Sequence, residues 1–247
     1  MSFSAGVIAA GEGSRLAAAY KNTIKPLVPV AGRPLSHWVV GALAAAGAES
    51  ATILTNSRGR ALEPSLRSAF PRLALDFLTA DTASSFDSFR LVCLALAERR
   101  KDFLVSTVDA IVPADDVARF LRECRAGGVD AGLALTARID DEKPLWAEAD
   151  ARGRVVALGG EARRRELATV GLYYMTRAEA RLLPAAGAHA RLRDYWSSLI
   201  KRGAAVAGPR LSATWDVDRP EDVVSAESLL GNPIERARIE SMSGDRI

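Results

Sequence analysis

The sequence predicts an α/β protein in which a mostly parallel central sheet is flanked by helices. Two observations support this fold class. Apolar runs of strand length alternate with helix-length amphipathic segments as far as residue 126, a pattern typical of parallel strands joined by crossover helices. The chain also has 247 residues, 49% of them hydrophobic, which is enough to bury one large core.

The individual elements follow from local patterns. The first strand is the apolar run at 7–10, and Gly47 ends a helix that is expected over 36–46. Further strands are predicted at 51–55, 73–78 and 103–107, and further helices at 60–69, 88–100 and 115–126. After residue 128 strand-like runs follow with few helices between them, at 131–138, 153–159 and 169–175. We therefore expect a small antiparallel extension of the sheet. The polar segment 231–247 is predicted to be a tail outside a folded domain of residues 1–230.

A glycine-rich loop follows the first strand. The apolar run stops at Gly11-Glu12-Gly13-Ser14-Arg15, and Lys25-Pro26 comes about ten residues later. Two glycines in three positions permit a tight turn, and such a loop exposes consecutive N–H groups to phosphate oxygens. Arg15 and Lys25 add the positive charge that a triphosphate requires. The loop is therefore predicted to bind a nucleotide.

Two common phosphate-binding motifs are excluded by the residues of this loop. No Lys-Ser or Lys-Thr follows the glycines, so the loop is not a P-loop. A dinucleotide fingerprint needs a third glycine where this chain has Leu16, and it needs an acidic residue about twenty positions further on, which is also missing.

The stretches AAGEGSR (9–15) and KPLVPVAGRPL (25–35) together resemble the signature of the sugar-phosphate nucleotidyltransferases, which include nucleoside-diphosphate-sugar pyrophosphorylases and related cytidylyltransferases. The resemblance implies a Rossmann-like enzyme over residues 1–230. This enzyme would transfer a nucleoside monophosphate from a nucleoside triphosphate to a sugar 1-phosphate, release pyrophosphate and require Mg²⁺. It implies that Arg15 clamps the β- and γ-phosphates and that Lys25 meets the α-phosphate. The nucleotide-binding positions would be Ala9, Ala10, Gly11, Gly13, Ser14, Arg15, Ser84 and Ser85.

Acidic residues suggest a metal site. Asp109 lies just beyond the predicted strand 103–107, at the sheet edge where open α/β folds bind ligands. Asp216 and Asp218 precede a predicted C-terminal helix, and Mg²⁺ is held by one or two protein carboxylates together with phosphate oxygens and water. The resemblance implies Asp109 as one ligand and Asp218 as the other, with Asp216 as the alternative. Glu221 and Asp222 are better explained as acids in the first turn of that helix.

The acceptor site is less clear from the sequence. Thr169 and Gly171 match the strand that contacts the acceptor in the family, and Glu161 matches the first residue of a Glu-Lys pair found in many sugar-specific members. Ala162 replaces the lysine. This departure keeps open a cytidylyltransferase for phosphocholine or a phosphonate. A non-catalytic nucleotide-binding protein is a third alternative, although such a protein has no need of a metal pair. Ser84 and Ser85 have a second interpretation as caps of the following helix.

Composition excludes several other classes of protein. A net charge of +3 gives no basic patch for nucleic acid, and no run approaches the 18 apolar residues of a membrane span. No signal peptide is predicted, and Cys93 and Cys124 lack metal-ligand spacing, so a cytoplasmic protein with reduced thiols is expected. The acceptor phosphate is already ionised near neutral pH, so neither His37 nor His189 is needed as a base.

Overall fold

The computed structural model describes residues 2–17, 19–21, 23–139 and 144–230. Within these residues there are thirteen strands: β1 Phe3–Ala9, β2 Pro29–Val30, β3 Arg33–Pro34, β4 Ala48–Thr55, β5 Ala74–Thr79, β6 Asp102–Thr107, β7 Ala110–Ile111, β8 Ala131–Thr136, β9 Trp146–Ala149, β10 Val155–Leu158, β11 Leu167–Thr176, β12 Val206–Ala207 and β13 Trp215–Asp216. The same residues contain eight α-helices: α1 Ser14–Ala17, α2 Leu35–Ala45, α3 Leu62–Ala69, α4 Ser85–Ala97, α5 Ala114–Ala126, α6 Arg177–Ala180, α7 Leu192–Lys201 and α8 Pro220–Leu230. Short 3-10 helices lie at Lys25–Leu27 and Gly159–Glu161.

The centre of the main sheet is parallel, as the sequence predicts. Strands β6, β1, β4 and β5 are neighbours in this order, and all three pairings between them are parallel. Val7 in β1 is paired with Ser106 on one side and Ile53 on the other. Strands buried on both faces read as continuous apolar runs, which explains why the strands at 51–55 and 103–107 are visible in the sequence. Helix α4 starts at Ser85, three residues before the predicted start, because Ser84 caps it.

The predicted antiparallel extension is also present. Strand β11 runs antiparallel to β6 on one edge and to β8 on the other, and its first residues also pair with β9. The pairing of β11 with β8 changes register between Thr169 and Tyr173, so the residues between them leave the regular ladder. The helices between β11 and β12, the short α6 and the ten-residue α7, were not expected.

Helices cover both faces of the sheet with separate apolar clusters. One cluster includes Trp38 of α2 and Phe120 of α5, and the other includes Phe89 of α4 and Trp196 of α7. Cys93 and Cys124 are free and buried, as the sequence predicts for reduced core thiols. The predicted tail 231–247 lies outside the described residues. Among the described helices, none is both long and apolar enough to cross a lipid bilayer.

Candidate nucleotide and metal site

The glycine loop lies directly against Lys25. Strand β1 ends at Ala9, and Gly13 has a left-handed backbone with φ of +58°. A Cβ atom at Gly13 would lie 2.5 Å from the Cβ of Lys25, closer than two carbon atoms can approach. Glycine is therefore required at position 13 for two reasons. The backbone has a positive φ, and it packs so closely against the Lys25 side chain that no Cβ atom fits. A Cβ atom at Gly11, in contrast, would have no other atom within 4 Å.

Lys25 joins three distant parts of the chain. Its side chain is only 8% exposed, and its ammonium Nζ donates a hydrogen bond to Asp109 Oδ2 at 2.7 Å. The same ammonium donates to Asp218 Oδ1. The second oxygen of Asp218 is 3.6 Å from the Arg15 guanidinium. One ionic cluster therefore contains four residues that the sequence singled out: Arg15, Lys25, Asp109 and Asp218.

The charges in this cluster stabilise one another. Burial alone would lower the pKa of Lys25, but attraction to Asp109 and Asp218 outweighs it and raises that pKa above 10.5. Burial would likewise raise the pKa of Asp109, and the Lys25 ammonium and its hydrogen bond outweigh this and lower that pKa below 3.8. Lysine and aspartate are therefore both charged across the neutral range.

Local backbone pairing holds the two aspartates together. Asp109 follows β6, and the next residues form β7, which pairs with β13 so that Ala110 faces Asp216. The backbone N–H of Val217 donates to the Asp109 carbonyl at 3.1 Å. A two-stranded pairing between segments more than a hundred residues apart thus sets the position of Asp218 relative to Asp109.

The start of α8 confirms a helix-terminal role for Asp222. Its Oδ2 accepts hydrogen bonds from the backbone N–H groups of Asp218 at 2.9 Å and Arg219 at 2.8 Å. An acid three residues into a helix that binds the N-terminal N–H groups is half of a capping box. Asp222 therefore orients the backbone of Asp218.

Asp116, which the sequence analysis did not single out, anchors the segment that leads to β13. This buried carboxylate accepts hydrogen bonds from Ser212 N at 2.9 Å, Ser212 Oγ at 2.6 Å and Ala213 N at 3.1 Å. These bonds, with the bond from Arg119, hold the pKa of Asp116 below 3.8 against the opposing effect of burial. In the sequence Asp116 looks like an ordinary first-turn helix acid, so no local signal distinguishes it.

The carboxylates suit a hard divalent cation. Asp109 and Asp218 each accept a hydrogen bond from the Lys25 ammonium, so both carboxylates already contact a positive charge. Mg²⁺ takes one or two carboxylates and completes its octahedron with phosphate oxygens and water. In the part of the chain that the structure describes, no cluster of three or more acidic, histidine or cysteine side chains is arranged to hold a metal by itself. The donor set therefore fits a magnesium ion that is shared with a phosphate ligand.

A cavity of about 550 Å³ opens beside this cluster. Its lining combines aspartates, arginines, aromatic rings and aliphatic side chains from β8, β11, α7 and the segment before α8. The charged lining residues are Arg15, Asp109, Arg138, Arg191, Arg193, Asp216, Asp218, Arg219 and Asp222. The lining therefore offers both arginines that can bind phosphate oxygens and carboxylates that can bind a cation.

Several predicted positions reach this cavity. Arg15, Ser85, Asp109, Thr169, Gly171, Asp216 and Asp218 line it. A Cβ at Gly171 would lie 1.9 Å from Thr107 Oγ1, so close packing against β6 is enough to require this glycine. The idea that Gly171 gives room to the acceptor stays a prediction.

Other predicted positions lie elsewhere or serve the fold. Ser84 caps α4: its hydroxyl oxygen accepts from Asp87 N at 3.0 Å. Ser85 Oγ accepts from Leu192 N at 2.9 Å, which ties the start of α7 to the start of α4. Glu161 is exposed, does not line the cavity, and pairs with Lys201 at 2.6 Å.

Neither histidine lies in the cavity wall. His37 is within hydrogen-bond distance of Ser65 Oγ at 2.9 Å, and burial lowers its pKa. His189 packs edge-on against Phe86, with 5.0 Å between the ring centres.

Comparisons with known proteins identify the family. The family model for the "MobA-like NTP transferase domain" matches residues 5–194. That match includes Arg15, Lys25 and Asp109, whereas Asp216 and Asp218 lie beyond it. A curated relative, the CMP-5'-(3-aminopropyl)phosphonate synthase of Streptomyces rubellomurinus, is 27% identical over 96% of this chain. The chain spans 40% of the length of that relative.

Solved structures show the same fold at low sequence identity. The inositol-1-phosphate CTP transferase of T. maritima has a TM-score of 0.78 at 17% identity and covers 93% of this chain and 96% of its own. The UDP-glucose pyrophosphorylase of Acinetobacter baumannii has a TM-score of 0.77 at 18% identity, with coverage of 94% and 95%. The family match over most of the chain, together with the shared fold, leads to one conclusion: the chain belongs to the MobA-like NTP transferase family.

Proposed function

We propose that this protein transfers a nucleoside monophosphate from a nucleoside triphosphate to a small phosphorylated acceptor, with a sugar 1-phosphate as the first candidate, and that it requires Mg²⁺. The observation that carries the proposal is the contact of Lys25 with Asp109 and Asp218 beside the cavity. It combines a buried positive charge with two carboxylates, which phosphoryl transfer needs and a simple nucleotide-binding protein does not.

The reaction needs no protein nucleophile. An ionised oxygen of the acceptor phosphate forms a bond to the α-phosphorus, and the bond from this phosphorus to the bridging oxygen breaks. Pyrophosphate leaves with the electron pair, and no proton has to move. The enzyme's tasks are to align two anions and to offset their charge.

The residues of the cluster divide this work. Arg15 is 63% exposed at the cavity, where its guanidinium lies 3.6 Å from Asp218, and we expect it to meet the β- and γ-phosphates. Lys25 is fixed by Gly13 and by its two carboxylates, so its charge is preorganised where we expect the α-phosphate. Asp109 and Asp218, with Asp216 nearby, would hold Mg²⁺, which supplies additional charge neutralisation for the phosphates when bound.

A second candidate is cytidylyl transfer to a phosphonate or phosphocholine. It is favoured by the curated relative, whose name describes a CMP-phosphonate product, and by the place of Glu161, which pairs with Lys201 away from the cavity. Both candidates share the donor chemistry and differ only in the acceptor.

The free buried thiols Cys93 and Cys124 support our prediction of a cytoplasmic protein.

The test is pyrophosphate release in the presence of Mg²⁺. The four ribonucleoside triphosphates and dTTP are each combined with sugar 1-phosphates, inositol 1-phosphate, phosphocholine and aminoethylphosphonate. We expect turnover with one donor class, and loss of turnover in Asp109→Ala. Tight triphosphate binding without turnover for any pair would favour a non-catalytic binding protein instead.

A further inference from the structure

The start of α7 forms one wall of the cavity, and it presents only hydrogen-bond donors. This α7 wall consists of Arg191, Leu192, Arg193 and Trp196, all of which line the cavity. The guanidinium of Arg191 forms an ion pair with the carboxylate of Asp194, with 3.0 Å between the closest nitrogen and oxygen atoms. Within the described residues the guanidinium of Arg193 has no ion-pair partner, and this side chain is exposed to the cavity.

Trp196 adds an independent sign that a ligand binds at this wall. The residue is only 1% exposed, and its indole Nε1–H is buried without a hydrogen-bond partner in the described structure. Buried polar groups are normally satisfied, so an unpaired N–H in a cavity wall calls for an explanation. An indole N–H only donates hydrogen bonds, and an arginine side chain does the same. Both groups therefore match a ligand atom that only accepts.

The α7 wall is close to the reaction site but distinct from its carboxylates. The ring of Trp196 stacks on Tyr173 with 5.5 Å between the ring centres. Burial raises the pKa of Tyr173, the charges of Asp109 and Asp216 raise it further, and Arg193 lowers it. Tyr173, Arg193, Asp109 and Asp216 all line the same cavity. A ligand in this cavity can therefore contact the carboxylates and Arg193 together.

The lining suits an anionic end group better than sugar hydroxyls. Hydroxyl groups donate as well as accept, so a site for an unmodified sugar needs acceptor side chains. The rest of the described lining supplies hydroxyl groups and the carboxylates around Asp109 and Asp218, but none of the four residues of the α7 wall has an acceptor side chain. An ammonium group at Arg193 would be repelled. A carboxylate or a second phosphate, which has only acceptor oxygens at neutral pH, matches both Arg193 and the Trp196 N–H.

We propose that the acceptor of this enzyme carries a second anionic group, a carboxylate or another phosphate, which is bound by Arg193 and the Trp196 indole N–H. The inference rests on the proposed nucleotidyl transfer, because it assigns a substrate class to that same cavity. It adds a specificity determinant: discrimination between acceptors that share a phosphorus group but differ at the far end.

The experiment compares acceptors that differ only in this end group. One pair is glucuronic acid 1-phosphate and glucose 1-phosphate, and the other is 3-phosphonopropionate and propylphosphonate. We expect kcat/KM to be about 10–100-fold higher for the carboxylate member of whichever pair is turned over, the usual range for a hydrogen bond to a charged group. Arg193→Gln should reduce this preference to within about twofold while the KM for the triphosphate stays unchanged, and Trp196→Phe should reduce it in part. Arg181→Gln, at an exposed arginine outside the cavity, should keep the full preference.

Two results would overturn the inference. Equal kcat/KM for the carboxylate and neutral members in the wild-type enzyme would show that no second anionic group is recognised. An equal loss for both members in Arg193→Gln would show that Arg193 binds the shared phosphorus group. If no acceptor is turned over, the proposed function fails separately. The inference is then decided by calorimetric binding of 3-phosphonopropionate and propylphosphonate with Mg²⁺, where equal affinities contradict it and tighter binding of the carboxylate that Arg193→Gln removes supports it.

Discussion

Replacing Lys25 by methionine tests the central cluster, because it removes the charge and keeps most of the apolar stem. Lys25 is 8% exposed, and Asp109 and Asp218 are 24% and 42% exposed. Breaking a buried ion pair costs about 3–5 kcal/mol. Both carboxylates retain some contact with water, so we expect a smaller loss of about 2–3 kcal/mol in the free energy of unfolding. Loss of one preorganised charge at the α-phosphate should lower kcat by about 10²–10³-fold.

Urea unfolding at pH 7 and single-turnover kinetics measure the two effects separately. The double variant Lys25→Met/Asp109→Asn removes the unpaired charge, so it should recover part of the stability without recovering activity. Two results would refute the reasoning. A free energy of unfolding within about 0.5 kcal/mol of the wild-type value would mean that this ion pair behaves like an exposed one. A near-normal kcat would mean that Lys25 does not meet the reacting phosphate.

The cluster also fixes a pH dependence of stability. The pKa of Asp109 is lowered from 3.8 in the folded protein, so its contribution is present above about pH 4 and is lost as the pH falls through the folded pKa. The pKa of Lys25 is raised from 10.5, so its contribution is complete below that value and is lost only as the pH rises through the folded pKa. We expect the stability difference between wild type and Lys25→Met to be constant from about pH 5 to pH 9 and to shrink in acid. A maximum near pH 7 with a decline on both sides would contradict this assignment.

Three further changes test the neighbouring parts of the site. Gly13→Ala places a Cβ 2.5 Å from the Lys25 stem at a φ of +58°, so calorimetry should show triphosphate affinity reduced by about tenfold or more, whereas Gly11→Ala meets no atom within 4 Å and should bind nearly as wild type. In electron paramagnetic resonance titrations with Mn²⁺, Asp109→Asn should weaken metal binding more than Asp216→Asn, and the opposite order would make Asp216 the principal ligand. Asp116→Ala removes three hydrogen bonds to Ser212 and Ala213, so thermal unfolding should show a loss of about 2 kcal/mol or more, and an unchanged melting temperature would contradict its anchoring role.

The parallel part of the fold could be predicted because its signals are local. Strands that are buried on both faces, such as β4 and β6, are continuous apolar runs, and Gly47 marks the end of α2 clearly. Helix α7 was missed although Leu192, Tyr195, Trp196 and Leu199 have the spacing of one apolar helix face, which is a local signal that the sequence does contain. Its position is fixed by a tertiary contact, the Ser85 hydroxyl that accepts from Leu192 N, and no local pattern reveals such a bond.

The candidate site likewise contains some residues that the sequence reveals and others that it does not. Arg15 and Asp109 could be found because they follow a glycine turn and a strand that are visible in the sequence, and Lys25 could be found because its Lys-Pro pair belongs to the signature that the chain resembles. Arg193, Trp196 and Asp116 could not, since their roles depend on which distant segment packs against them. Trp196 in particular resembles an ordinary core residue, and only the unpaired indole N–H in the folded structure distinguishes it.

The contact between Lys25 and Asp218 connects residues 193 positions apart, and this separation has a consequence for folding. Closing so large a loop is entropically costly before its contacts form, so we expect the active centre to be completed late in folding. Triphosphate and metal would then bind the completed fold and not its precursors. By mass action, cellular nucleotide at a hundred times its dissociation constant would add about 2.7 kcal/mol to the stability of the whole domain. The substrate would thus help to determine how much of this enzyme persists in the cell.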